Sequence, residues 1–184
     1  MRNARSPNSA LALLLVASSA AAPAASVPKW NPRAPENMQV LPTFNLAAVE
    51  TVVRSIGARS QRAALDSLKP SLLVTFANGR KAVVQMSACE QNGAVCKALS
   101  IQSTWTKIAN SPQDQVVRAI DGFNQRYSFG KASTTEDGRP LLQRYLTADY
   151  GFVRGNLAVN LLVFASQADR FATEVLGPLE RRGT

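Results

Sequence analysis

The chain has 184 residues, of which 21 are Lys or Arg and 12 are Asp or Glu, and its formal net charge is +9. It contains two cysteines and no histidine. Without histidine, a Ser-His-Asp triad and a Cys-His pair are excluded, and neither a metal site nor a cofactor is expected.

Residues 1–25 have the features of a secretory signal peptide. Arg2 and Arg5 give a basic start, an apolar run extends from Ala10 to Ala22, and Ala22-Pro23-Ala24 fits the A-x-A cleavage pattern. The run is shorter than the roughly 20 apolar residues that span a bilayer. An uncleaved N-terminal anchor is the alternative interpretation. We expect cleavage, export to the periplasm or the cell exterior, and no membrane span afterwards.

The charge of the remaining chain gives little information about a partner. Residues 26–184 retain 19 basic and 12 acidic residues, a net charge of +7. The basic residues are scattered rather than clustered, which is typical of a solubilising surface. No nucleic-acid partner is therefore expected.

The two cysteines, Cys89 and Cys96, are close in the sequence. Six residues separate them, and these include the turn signal Asn92-Gly93. In an oxidising compartment this spacing indicates a local disulfide, which should stabilise the fold by about 2–3 kcal/mol. No C-x-x-C redox motif is present.

The first half of the chain predicts an arm, a helix and a series of strands. Residues 26–42 contain four prolines and are interpreted as an extended arm outside the core. A helix is predicted over 43–56, and strands follow at 61–68, 71–77, 81–88 and 97–105. Asn78-Gly79 predicts a two-residue hairpin turn with both residues at positive φ, and the cysteine loop joins the next pair of strands.

The second half predicts two helices around a hairpin. Ser111 is the expected N-cap of the first of these helices, with Pro112 at its first position. Strands at 129–136 and 140–148 flank the turn Asp137-Gly138. The last helix is predicted over 155–176 and ends at Gly177-Pro178.

The predicted order is therefore α-β-β-β(-β)-α-β-β-α. Antiparallel strands with helices packed on them define an α+β fold. The predicted domain covers residues 43–177, and a short basic tail follows at 178–184.

From the second predicted helix onward the chain resembles the YbjN family of bacterial domains. The residues that carry the resemblance are Ile120, Phe123-Asn124, Tyr127, Phe129-Gly130-Lys131-Ala132, Asp137-Gly138 and Pro140-Leu141-Leu142. The resemblance covers about Phe44 to Leu176. It implies a fold similar to type III secretion chaperones and the broad role of a sensory transduction regulator. It implies no catalytic or binding residue.

Short motifs that are typical of enzymes do not have their partner motifs here. Ser128 and Lys131 match S-x-x-K, but the accompanying S-D-N and K-T-G motifs are missing. Gly130-Lys131 resembles part of a phosphate loop, although Ala132 stands where Ser or Thr would bind magnesium. Asn124 is interpreted as bonding to backbone at the helix end rather than to a ligand. We therefore expect a protein without catalytic activity.

Two functions remain. The first is an exported binding, chaperone-like or regulatory domain that engages a protein partner or a second copy of itself, through an exposed apolar patch or an edge strand. The alternative is a periplasmic sensor with a small-ligand pocket between the sheet and the helices.

Overall fold

In the computed structural model, residues 30–63, 69–90, 93–109 and 111–181 are described. The predicted signal peptide, its cleavage site and the last three residues of the predicted basic tail lie outside these ranges. Of the strand predicted at 61–68, only residues 61–63 fall within them.

Six strands form an antiparallel sheet: β2 Arg59–Ala63, β3 Ser71–Thr75, β4 Lys81–Cys89, β5 Cys96–Thr104, β6 Lys131–Thr134 and β7 Pro140–Thr147. Their order in the sheet is β2-β3-β4-β5-β7-β6. Strands that follow each other in the chain pair as hairpins, with one exception: β5 pairs with β7, and β6 lies at the edge beyond β7. The prediction of an α+β fold with an antiparallel sheet is confirmed.

Side chains on one face of the sheet form the core. In β4, Ala82, Val84 and Met86 are buried, while the alternate residues are less covered. Because successive side chains in a strand point to opposite faces, this alternation separates a buried face from an open one. Three helices pack on the buried face, and we call the other side the open face.

The three helices are α1 Leu46–Ser55, α2 Gln113–Arg126 and α3 Arg154–Phe171. Fully buried aromatic residues from α2 and α3, Phe123, Phe164 and Phe171, fill the layer between these helices and the sheet. Burying an aromatic or large aliphatic side chain of this kind contributes about 1.5–3 kcal/mol. The layer is therefore the main source of stability for the sheet.

Two helices begin later than predicted. The helix predicted from residue 43 starts at Leu46, because the side chain of Asn45 accepts a hydrogen bond from the Ala48 N–H at 2.9 Å and caps the first turn. Ser111 is not the N-cap of α2, which begins at Gln113. The Ser111 hydroxyl instead donates to the Leu179 carbonyl at 3.0 Å. A bond over that sequence distance could not be anticipated from local signals.

The C-terminal helix does not stop at Gly177-Pro178 as predicted. It widens into a π-helical segment, Ala172–Leu176, and continues as α4, Gly177–Arg181. Pro178 has no N–H to donate, and it directly follows the π-helical turn, in which the Gly177 N–H bonds to the Ala172 carbonyl five residues back. Leu179 is buried in the core, so the first residues of the predicted tail belong to the folded body.

Residues 30–41 are also part of the folded body, although the four prolines predict an extended arm outside the core over residues 26–42. Trp30 and Leu41 pack against the core, and Asn37 is buried. A short strand β1, Val40–Leu41, pairs antiparallel with β8, Phe152–Val153, in the segment expected to be a simple connection. This pairing brings together residues more than 100 positions apart in the sequence.

Both predicted hairpin turns are present, but with longer loops than expected. The Gly79 N–H donates to the Phe76 carbonyl, and the Phe76 N–H donates to the Arg80 carbonyl. Gly79 has φ +81°, whereas Asn78 is not at positive φ, so the two-residue type I′ turn was the wrong prediction. The Asp137-Gly138 loop repeats this three-residue pattern, in which only glycine needs the left-handed conformation.

Candidate functional site

The open face of the sheet carries a concave groove with a volume of about 1190 Å³. It crosses β5, β4 and β3 and reaches α1 beyond the β2 edge. Its lining is contributed by Glu50, Arg54, Ala58, Arg59, Ser60, Gln61, Leu73, Val74, Thr75, Lys81, Ala82, Val83, Gln85, Gln102, Ser103 and Thr104. The groove lies on this face because the helices of the described ranges pack on the other one.

Two apolar side chains lie at the centre of the groove. Leu73 of β3 and Val83 of β4 are directly opposite each other in the strand register. Leu73 is 46% exposed, although both of its neighbours, Leu72 and Val74, are buried. A large apolar side chain on an open sheet face gains little from folding, and together with Val83 it gives the groove an apolar centre that another molecule can cover.

Hydroxyl and amide groups form a band beside this apolar pair. The Gln102 side-chain amide donates to the Ser100 hydroxyl at 3.0 Å, and Gln85 and Ser71 are within 3.5 Å of each other. The Ser71 hydroxyl donates to the Lys69 carbonyl at 2.8 Å. Amide side chains each carry two donors and an acceptor, so this band has further capacity to bind a polar ligand.

Cations lie along the rim of the groove. Arg54, Arg59 and Lys81 are exposed, and the described residues place no carboxylate in an ion pair with any of them. The one acidic lining residue, Glu50, is bound at 2.8 Å by Arg62. The hydrogen bond from Arg62 holds the pKa of Glu50 below its usual range, so Glu50 is ionised and neutralised at pH 7. The rim is therefore net positive.

The two edges of the sheet differ in how their backbone is paired. At the β6 edge, the Asn124 side chain donates to the Ala132 carbonyl and accepts from the Ala132 N–H, both at 2.9 Å. Asn124 bonds to backbone, as predicted, but it bonds to Ala132 in strand β6, eight residues later in the chain, and not to the backbone at the end of its own helix. At the β2 edge, the described residues provide no backbone partner other than β3. The Asn124 side chain thus pairs with the β6 edge as a neighbouring strand would, whereas no such side chain protects the β2 edge among the described residues.

A disulfide joins Cys89 and Cys96 at the end of the β4–β5 hairpin. The two residues are opposite each other in the register, so the bond staples the two central strands. Cys96 is fully buried and pairs through its backbone with Phe44. The disulfide is therefore a structural element at one end of the sheet, away from the apolar centre of the groove.

The enzyme-like motifs have structural explanations. Ser128 and Lys131 are both exposed, and no hydrogen bond joins their side chains. A Cβ on Gly130 would lie 3.2 Å from the Gln143 carbonyl oxygen, so glycine lets this connection approach β7 closely. Within the described part of the chain, no three His, Cys, Asp or Glu side chains are grouped so that they could hold a metal ion.

The sequence predicts the strands, but it does not predict the groove or the residues that line it. Leu73, Arg59 and Lys81 belong to no motif, and the only signal is the alternation of polar and apolar residues in β4. That alternation shows that one face of the strand is more polar than the other. It does not show whether a second layer of structure covers the more polar face.

The fold and this site define a class of protein: an α+β domain with helices on one sheet face and a positively rimmed groove on the other. The chain belongs to the YbjN family, whose model matches residues 45–177 and is described as "Putative bacterial sensory transduction regulator". This description names a regulator and not an enzyme. Comparison with curated proteins and with solved structures gave no match. Among the described residues, no helix has the length and apolar character needed to cross a bilayer.

Proposed function

We propose that the protein is an exported, non-catalytic binding domain that holds a protein partner against the open face of its sheet. The groove is the observation that supports the proposal. It is concave, it lies on the open face, and it combines the exposed Leu73 and the partly exposed Val83 with hydrogen-bonding groups around them. Such a mixture of an apolar centre and a polar rim is typical of surfaces that bind other proteins.

The size of the groove favours a macromolecule over a small ligand. Pockets for small molecules are usually about 300–1000 Å³ and enclose most of the ligand. This groove is larger, at about 1190 Å³, and is open along one side. The space between the sheet and the helices, where the alternative interpretation of the sequence predicts a ligand pocket, is occupied by fully buried side chains such as Phe123, Phe164 and Leu142.

A small-ligand sensor is the second candidate, because the family description names a sensory regulator. Its site would then be the same groove on the open face. A thermal-shift screen against metabolites separates the two candidates, since a ligand that binds the folded state raises the melting temperature. A rise of several degrees with one metabolite favours the sensor.

Export is supported by two independent features. The first is the signal-like composition of residues 1–25. The second is the Cys89–Cys96 disulfide, a bond that persists in oxidising compartments. Mass spectrometry of the protein purified from a cell-envelope fraction tests the proposal: the expected mass lacks about the first 25 residues. An intact N-terminus in the cytoplasmic fraction would contradict it.

A substitution in the groove tests the proposed surface. Leu73→Lys places a charge at the centre of the groove, and Val159→Lys makes the equivalent change on the outer side of α3, where Val159 is 41% exposed. Wild-type protein and both variants are immobilised, and proteins captured from envelope extracts are compared. We expect proteins captured by the wild type to be retained by Val159→Lys and lost from Leu73→Lys.

Self-association is measured in the same set of experiments, because capture from extracts does not detect a partner that is a second copy of the chain. Sedimentation equilibrium of the three purified proteins gives their mass in solution. A wild-type dimer that dissociates only in Leu73→Lys assigns the open face to self-association. Equal capture and equal mass for all three proteins would refute the open face as the binding surface.

A further inference from the structure

Charge is distributed unequally between the two sides of the sheet. On the helical side and in the turns, five carboxylates are paired with arginines: those of Glu50, Asp114, Asp137, Asp169 and Glu174. On the open face of the described strands, the alternation of β2 to β7 places Arg, Lys, Ser, Thr and Gln side chains but no Asp or Glu. The open face therefore has cations without counter-ions.

Two of these cations lie on one cross-strand row of the open face. In the register of the sheet, Arg59 of β2 is opposite Thr75 of β3, and Thr75 is opposite Lys81 of β4. Neighbouring side chains on such a row have Cβ atoms about 5 Å apart, which puts the Cβ atoms of Arg59 and Lys81 roughly 10 Å apart on either side of Thr75. Both are exposed, and the described residues place no carboxylate in an ion pair with either of them, so an anion could bind there without breaking one.

The apolar pair lies on the next row of the same face. Leu73 is two residues from Thr75 in β3, and Val83 is two residues from Lys81 in β4. A molecule that covers both rows therefore meets two cations and a hydroxyl beside two apolar side chains. A protein segment with interspersed acidic and apolar side chains complements both rows, whereas an acidic polysaccharide complements only the charged one.

We propose that the groove takes an extended, acidic segment of a partner protein. Its carboxylates bind Arg59 and Lys81, its neighbouring apolar side chains contact Leu73 and Val83, and the Thr75 hydroxyl donates to one carboxylate. This inference rests on the proposed function, since it assigns a chemical class to the partner of the open face.

Synthetic peptides test the inference on the purified full-length mature protein. The probe is a fluorescein-labelled peptide of glutamate in which every third residue is valine, and fluorescence anisotropy gives its affinity. The test variant is Arg59→Gln with Lys81→Gln. The matched control is Arg33→Gln with Lys107→Gln, which removes the same charge from exposed positions away from the groove. Circular dichroism melting checks that all variants are folded.

We expect the peptide to bind wild type and control alike, and to bind the Arg59→Gln/Lys81→Gln variant about tenfold more weakly, as expected for the loss of two solvent-exposed charge contacts. The affinity should fall as salt is raised, because exposed charges are screened. Equal weakening of both double variants would mean a general response to net charge and would overturn the inference. Absence of binding at low salt would overturn it too.

Two further measurements distinguish a failure of this inference from a failure of the proposed function. If capture of envelope proteins is lost in Leu73→Lys but unchanged in Arg59→Gln/Lys81→Gln, the proposed function stands, and the inference that Arg59 and Lys81 bind an acidic segment is overturned. Dextran sulfate is the probe for a polysaccharide partner. If it displaces the peptide and binds more tightly through Arg59 and Lys81, the acidic protein segment is the wrong class of partner.

Discussion

The two faces of the sheet are built from the same strands but are used differently. On β3, Leu72 is fully buried under the helices, while Leu73, one residue later, is 46% exposed on the open face. On β4, Val84 is fully buried and Val83 is partly exposed. Identical residue types thus serve stability on one face and are available for recognition on the other. What separates them is only the pleat of the strand and the position of the helices.

The largest expected effect comes from removing a leucine from each face in turn. Leu72→Ala leaves a cavity in the core and should lower the free energy of unfolding by about 2–5 kcal/mol. Leu73→Ala should change it by less than about 1 kcal/mol, because surface substitutions usually have small effects. Urea denaturation of the two variants measures the difference. Equal destabilisation would show that the open face is covered by another part of the chain.

A second prediction concerns the staple between the two central strands. Replacing Cys89 and Cys96 together by alanine should destabilise the protein by about 2–3 kcal/mol, because the disulfide closes a short loop in the unfolded chain. Wild-type protein treated with dithiothreitol should show a similar loss in urea denaturation. The double variant should not respond to the reductant. A response would indicate that the reductant acts elsewhere.

A third prediction concerns the β6 edge of the sheet, which Asn124 protects. Asn124→Ala removes both hydrogen bonds to Ala132 and should cost about 1–3 kcal/mol, since a paired donor and acceptor are left without partners. It should also promote self-association, because an unpaired strand edge attracts another edge. Urea denaturation and sedimentation velocity measure the two effects. Gln125→Ala, an exposed neighbour on the same helix, is the control and should change neither.

The smallest expected effect depends on pH. The hydrogen bond from Arg62 lowers the pKa of Glu50 in the folded protein, so the pair stabilises the fold above the unfolded pKa of about 4.3. That contribution should be lost as the pH falls through the lowered pKa. Wild type should therefore unfold at a slightly higher temperature than Glu50→Gln at pH 7, and the difference should shrink in acid. A difference that persists unchanged in acid would attribute the effect to packing.

Much of this architecture was accessible from local patterns. The period-two alternation of β3 to β5, the helical stripe of α2 and the glycine turns predicted an antiparallel α+β fold, and the family match agrees with the resemblance found in the second half of the chain. These features depend on residues within a few positions of each other, so the sequence alone carries them. The exclusion of a Ser-His-Asp triad also needs only the sequence, because the chain contains no histidine.

Tertiary structure decided what lies far apart in the chain. Only it shows that β1 pairs with β8, that Ser111 binds the Leu179 carbonyl and that Asn124 covers the β6 edge. Only it shows, too, that the helices of the described ranges all pack on the same face of the sheet. Alternation defines two faces for every strand, but it does not determine which layer packs on which face. That choice depends on how the whole chain buries its apolar surface, and here it exposes the groove with Leu73 at its centre.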